Sequence, residues 1–317
     1  MSRKIFSRFA APAAIVLAVS ALAACGSTSS SGTSPLAPKT AASGKVVVGS
    51  DNFPESILLA DVYGQALAAK GIKVSYNLNI GSREVTYNLV KSGALTMKPE
   101  YNGALLAYLD KTAPQTSVAE VDSAITSHLA PGLQILDAAT AQDNDTLTLS
   151  KQFAAQLGLS QGATISEFVA KLGTKSVTIG GSPEFQTRTE GLVGLAQQYG
   201  LKSSQITYKT LDAGGPLTEK ALTSGAVEAG DLFTTDPTIS QGGLLTLVDD
   251  KNIFGVQNVL PLINKAGMTQ TGIDALNAVS AKLDSATLLR LDTEVQVDKE
   301  DPLTVANAWL KSVGLSS

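Results

Sequence analysis

The chain has 317 residues, of which 44% are hydrophobic, 16% charged and only 5% aromatic. That is too apolar for a disordered chain and long enough for two well-filled compact bodies. Its 24 basic and 28 acidic residues exclude a nucleic-acid footprint, which needs a basic face. One cysteine excludes an intramolecular disulfide and a four-cysteine zinc site, and one histidine excludes His-rich metal sites and leaves little room for a Ser-His-Asp machine.

Residues 1–24 read as a signal peptide. Arg3, Lys4 and Arg8 form its basic region, and residues 9–21 form an apolar stretch too short to span a bilayer. It runs into Leu22-Ala23-Ala24-Cys25-Gly26, the pattern of a bacterial lipobox, so Cys25 is expected to carry the lipid and become the new N-terminus. The alternative is an ordinary cleaved signal beside an incidental cysteine. Residues 25–44 then hold the lipidated Cys25 and a Ser/Thr/Gly/Pro-rich tether with a reach of roughly 25 Å. Cleavage removes three basic residues and no acid, leaving a mature net charge of about −7.

From residue 45 the chain alternates strand and helix patterns. Lys45–Gly49 is a short β-branched strand. Asn52 or Ser50 can cap a helix over 55–70, ended by Gly71. Residues 72–78 alternate as a strand, 84–92 form a helix, 95–98 a strand, and a helix follows Pro99-Glu100-Tyr101-Asn102-Gly103 as far as Leu109. Val118–Leu129 is a helical stretch with His128 near its C-terminus. Strands are expected at 146–149, 176–180, 205–209, 226–233 and 244–248. Thr164-Ile165-Ser166-Glu167 fits a capping box, a further helix is expected over 187–199, and helices near 269–282, 284–295 and 302–313 close the chain. Strand–loop–helix repetition predicts α/β lobes with a mostly parallel sheet in each.

Six segments match one family in order and spacing: Val46–Phe53, Ile80–Glu84, Lys98–Leu106, Gly180–Arg188, Leu232–Asp236 and Leu247–Lys251. The chain resembles the substrate-binding proteins of osmoprotectant ABC importers, which take up glycine betaine, choline, carnitine and similar quaternary ammonium compounds. The resemblance covers residues 45 to 317. It implies a type II two-lobed periplasmic-binding-protein fold that closes about a hinge of two chain crossings. Those crossings are expected at Asp143–Asp145 and between Asp236 and Val248. Lobe 1 would then be 45–143 plus 246–317, and lobe 2 would be 144–245. The ligand would sit between them, at the carboxyl ends of the strands.

A quaternary ammonium ion offers no N–H donor, so ring faces suit it better than a salt bridge. Tyr101, Phe185 and Phe53 are the expected rings. Arg188, with its bidentate fork, is the expected holder of a ligand carboxylate, and Arg83 follows a Gly-Ser turn from which it could reach the cleft. Thr234, Thr235 and Asp236 could bind ligand or hinge, and Asp143 and Asn144 lie at the first crossing. Two positions depart from many relatives, which carry tyrosines where this chain has Lys98 and Leu147. The cage is thinner for it, and an inward Lys98 would repel a cation. A larger trimethylammonium, aromatic or polyol-like solute remains the alternative ligand. The implied partners are an ABC permease with its cytoplasmic ATPase, the membrane through the N-terminal lipid, and no nucleic acid; the chain is expected to be a monomer without metal or cofactor. No G-x-S-x-G, Walker or H-E-x-x-H motif is present, so an enzyme is disfavoured, as is a lipid-anchored adhesion module.

Overall fold

Two five-stranded sheets, each covered by helices on both faces, divide the chain into lobes joined by two crossings. The computed structural model describes residues 44–113, 115 and 117–316. The signal peptide, Cys25 and nearly all of the tether lie outside them.

The first sheet comprises β1 (Lys45–Gly49), β2 (Lys73–Asn77), β3 (Met97–Tyr101), β4 (Leu133–Ile135) and, much later in the chain, β10 (Val259–Asn264), in the order β2-β1-β3-β10-β4. The second comprises β5 (Asp145–Ser150), β6 (Val177–Gly181), β7 (Ile206–Thr210), β8 (Ala229–Phe233) and β9 (Leu244–Thr246), in the order β7-β6-β8-β5-β9. In each sheet three strands joined by helical crossovers run parallel, while the strand arriving from the other lobe, β10 or β5, adds antiparallel pairings.

The Val46-Val47-Val48 run explains why the first sheet is buried on both sides. Val46 and Val48 face one core and Val47 the other, as a period of two requires. Helix α1 (Pro54–Ala69) is apolar almost all round because it lies between the sheet and the C-terminal helices α10 (Gln270–Ser280), α11 (Ser285–Gln296) and α12 (Pro302–Ser312). Each of its fully buried leucines, Leu58, Leu59 and Leu67, contributes about 1.5–3 kcal/mol. Helices α2 (Arg83–Ser92), α3 (Asn102–Leu109) and α4 (Val118–His128) cover the opposite face. In the second lobe α5 (Lys151–Leu157), α6 (Ile165–Leu172) and α7 (Leu192–Tyr199) cover one face, and α8 (Pro216–Thr223) and α9 (Pro237–Ser240) the other. The Thr164–Glu167 capping box opens α6 with both of its reciprocal hydrogen bonds. Neither expected cap of α1 forms: Phe53 holds the N-cap position without a side-chain bond, Pro54 starts the helix, and Ser50 Oγ instead accepts from Asn79 N at 2.7 Å.

The return crossing lies further along than the expected Asp236–Val248. β9 pairs with β5, Leu247 and Phe254 pack in the second core, and the chain rejoins the first sheet at Val259. Residues 246–254 therefore belong to the second lobe. The two crossings bind each other: Asp143 N donates to Gln257 O at 3.0 Å, and Asn144 Nδ2 donates to Gly255 O at 2.7 Å. Asn144, also tied to Thr234 Oγ1 through its N–H, is thereby a hinge residue.

Candidate functional site

Between the lobes a cavity of about 750 Å³, counting its open mouth, gathers the loops that follow the parallel strands. Phe53 follows β1, Tyr101 ends β3 and Phe233 ends β8, so three strand ends deliver three rings. The Phe53 ring stands 6.0 Å from Tyr101 and 5.4 Å from Phe233, tilted by 36° and 43°. Phe53 and Tyr101 come from the first lobe and Phe233 from the second, so the lobes meet through tilted aromatic contacts.

Phe185, expected here, lies elsewhere. It is 2% exposed and packs in the second core. The Pro-Glu-Phe sequence imitates Pro-Glu-Tyr, but the backbones differ. Residues 99–101 continue as strand, which carries Tyr101 to the mouth, whereas Pro183 is helical and Glu184–Gln186 form a single 3₁₀ turn that rolls Phe185 inward. Phe233 takes the place assigned to it. Its sequence signal was its position at the carboxyl end of an apolar strand, one step out of phase with the core residue Leu232.

Beneath the rings lies a buried ionic network. Lys98 is fully buried, and its Nζ donates to Asp51 Oδ1 at 2.7 Å, Glu100 Oε1 at 2.9 Å and Thr86 Oγ1 at 3.0 Å. Arg83 Nη2 lies 2.9 Å from Glu100 Oε2, and its Nε also donates to that carboxylate. Burial works against the charge on Glu100, but Arg83 and Lys98 outweigh it and pull the carboxyl down to about 2. Two cations and two carboxylates thus cancel, and Lys98 presents no net repulsion to a cationic solute. Leu147 is likewise a core residue of the second lobe.

A second set of carboxyls surrounds the hinge. Glu55, on the first turn of α1, accepts the Tyr101 hydroxyl on one oxygen and Thr235 Oγ1, at 2.5 Å, on the other. Burial, with Asp292 of α11 beside it, drives Glu55 well above the usual carboxylate range. Asp143 lines the cleft and accepts from Thr235 N at 3.0 Å and Thr234 Oγ1 at 3.3 Å; burial raises it as well, with Glu55 adding to the effect. Asp145, also on the cleft wall, is raised by burial. Thr234 and Thr235 therefore bind the hinge rather than line the main cavity. Asp236 caps α9 by accepting from Thr238 N at 2.8 Å. Arg188 reaches the cleft and pairs across it with Glu84 of α2, Nη2 to Oε1 at 3.2 Å.

Among the expected residues, Phe53, Arg83, Tyr101, Asp143 and Arg188 converge on the cavity; Asn144, Thr234, Thr235 and Asp236 gather at the hinge, and Phe185 is core. Sequence reading gave no site role to Phe233 or Glu55, and it placed Asp145 at the first crossing without assigning it to the cavity. It also missed Glu84 as the partner of Arg188.

Two lobes, two crossings and a ring-lined cleft define a solute-binding protein. Residues 44–312 match the model of the substrate-binding domain of ABC-type glycine betaine transport systems, and the chain belongs to that family. Its members are binding components of transporters, not enzymes. A glycine-betaine-binding protein of Pseudomonas aeruginosa is 27% identical over 280 residues, covering 83% of this chain and 86% of that one. Glycine betaine-binding protein YehZ of Escherichia coli is 28% identical over 288 residues, covering 86% and 92%. The crystal structure of a glycine betaine/carnitine/choline ABC transporter protein shares the fold with a TM-score of 0.66 at 19% identity, over 85% of this chain and 99% of the other.

Proposed function

We propose that this protein captures a quaternary ammonium solute in the inter-lobe cleft and delivers it to an ABC permease from the outer side of the membrane, held there by a lipid on Cys25. The observation that carries the reading is the convergence of Phe53, Tyr101 and Phe233 beside Asp143 and Asp145. Ring faces attract a cation without requiring N–H donors, by about 0.5–2 kcal/mol each depending on desolvation. Burial holds the Asp143 and Asp145 carboxyls above the usual range, and a bound cation beside them favours their ionised form. Closure of the lobes removes water and strengthens both effects. The lipobox and tether support anchoring, and family membership supports the permease as partner.

Binding is tested on purified protein by thermal shift and calorimetry with choline, glycine betaine and carnitine. A saturable rise in Tm with at least one of them is expected. If none shifts Tm or yields heat, the quaternary ammonium reading falls. Anchoring is tested separately: Cys25→Ala should abolish palmitate labelling and release the protein from membranes, and unchanged labelling would exclude Cys25 as the lipid site.

A further inference from the structure

The lining of the cleft carries two cationic side chains, Arg83 and Arg188, and both are engaged. Arg83 is 6% exposed, and its Nε and Nη2 are directed at Glu100. Arg188 stands on the second lobe and its Nη2 reaches both oxygens of Glu84 on the first, at 3.2 and 3.4 Å. Lys98, the third cation nearby, is fully buried and directed at Asp51 and Glu100. The carboxyls of Asp143 and Asp145 line the same cavity and make no contact ion pair among the described residues, although the charges of Arg188 and Arg83 act on Asp145 from a distance, against its burial.

Two consequences follow for a solute enclosed here. Its positive end meets rings and carboxyls. A negative end, if it has one, meets carboxyls as well and finds each nearby guanidinium already neutralised by a carboxylate. The Glu84–Arg188 pair joins opposite lobes, so it exists in the same arrangement that encloses the ligand. Closing the lobes thus commits the Arg188 charge to Glu84 at the moment when a bound carboxylate would need it.

Resting on the quaternary ammonium reading above, we infer that this cleft selects a monocation over a zwitterion, and that Glu84 is the specificity-determining residue because it neutralises Arg188. A carboxylate ligand would have to compete with Glu84 for the guanidinium, and a cation bearing a hydroxyl or only alkyl groups would not. Glu84 sits on the exposed side of α2, its side chain 45% accessible, so the neutral Glu84→Gln replaces it without opening a core.

The test is a calorimetric titration of choline and glycine betaine into the wild-type chain and into Glu84→Gln. Choline should bind the wild type about tenfold more tightly than glycine betaine, and Glu84→Gln should shift the ratio about tenfold toward betaine by freeing a charge-assisted bidentate donor. The ratio is the readout, because any loss of lobe closure in the variant weakens both ligands together. Glycine betaine binding the wild type as tightly as choline, or a ratio that does not move in Glu84→Gln, would overturn the inference while leaving the quaternary ammonium reading intact. Failure of both ligands to bind would overturn the two together.

Discussion

Thr235 Oγ1 donates to Glu55 Oε2 at 2.5 Å, joining the end of the second lobe's β8 loop to the first turn of α1 in the first lobe. The other oxygen of Glu55 accepts the hydroxyl of Tyr101, a ring of the cleft. One carboxyl group therefore ties a ligand-facing ring to a bond that forms between lobes. Thr235→Val keeps the bulk of the side chain and removes the donor. It should weaken ligand binding by about five- to tenfold, the worth of one hydrogen bond to a buried acceptor, by making closure less favourable. Small-angle scattering should show a larger share of open molecules without ligand. Unchanged affinity and unchanged scattering would mean that this bond does not hold the lobes together.

Lys98 is the cation on which the buried network turns. Replacing it with Met removes the cation that Asp51 and Glu100 share, leaving Arg83 on Glu100 and Asp51 without its ion-pair partner. The loss of one member of such a buried set costs about 3–5 kcal/mol. For a chain of this size a fall in Tm on the order of 10 °C is expected by calorimetry. Adding Asp51→Asn to Lys98→Met returns the network to a balanced Arg83–Glu100 pair and should restore part of that loss. A double variant no more stable than the single one would show that packing, rather than charge balance, sets the cost.

Stability should depend on pH in a direction that the carboxyls fix. Burial raises Asp292 to about 7, Asp236 to about 7 and Asp61 to about 6. The unfolded chain releases these protons near pH 4, so above that pH the folded state holds more protons. The stability they contribute is full below about pH 4 and is lost as pH rises through about 7. Glu100 acts oppositely, its contribution being lost only as pH falls toward about 2. The Tm of ligand-free protein should therefore decline between about pH 5 and pH 8. Burial holds the Asp143 carboxyl well above the usual range and a bound cation favours its ionised form, so choline affinity should rise with pH, with proton release seen as a buffer-dependent binding enthalpy. A flat or rising Tm, or affinity falling with pH, would contradict the assignment of these carboxyls as buried and neutral.

What could be read before folding was local, and what could not was relational. β-branched runs, the Thr164–Glu167 box and the C-terminal helical periods each lie within a few residues, and they formed nearly as expected. β10 went unrecognised because Pro261 interrupts it, and proline argues against a central strand. In the sheet Pro261 faces Pro99 on β3, while its carbonyl accepts Leu136 N on the opposite side. The two prolines thus share a position where neither N–H is asked of the β3–β10 ladder, a pairing invisible to either segment alone. The same limit hid Glu55, a first-turn acid by sequence and a bridge between lobes only once β8 arrives beside it. Tyr101 was legible and Phe185 was not, because the distinction between continuing strand and 3₁₀ turn after each proline depends on the neighbouring strands.

The ring assignment yields the sharpest comparison, between Phe233, Phe185 and Tyr101. If Phe233 contributes a ring face to the cation, Phe233→Leu should weaken choline about three- to thirtyfold while the fold survives, because the side chain is only half-buried. Phe185→Leu trims a core residue instead, so it should lower Tm and leave affinity nearly unchanged. Gly214 offers a route to the same ring without touching it. Its φ of +54° is costly for other residues, and a Cβ there would fall 2.3 Å from Phe233 Cδ2. Gly214→Ala should therefore displace the ring and reduce affinity in the manner of Phe233→Leu. Tyr101 differs from both, since its hydroxyl also serves Glu55: Tyr101→Phe keeps the ring face but leaves that carboxyl one donor short, so it should lose affinity through closure, while Tyr101→Leu should lose both contributions. Affinities following the order wild type, Tyr101→Phe, Tyr101→Leu are expected in calorimetry. Equal binding by Phe233→Leu and wild type, with intact Tm, would remove Phe233 from the cage.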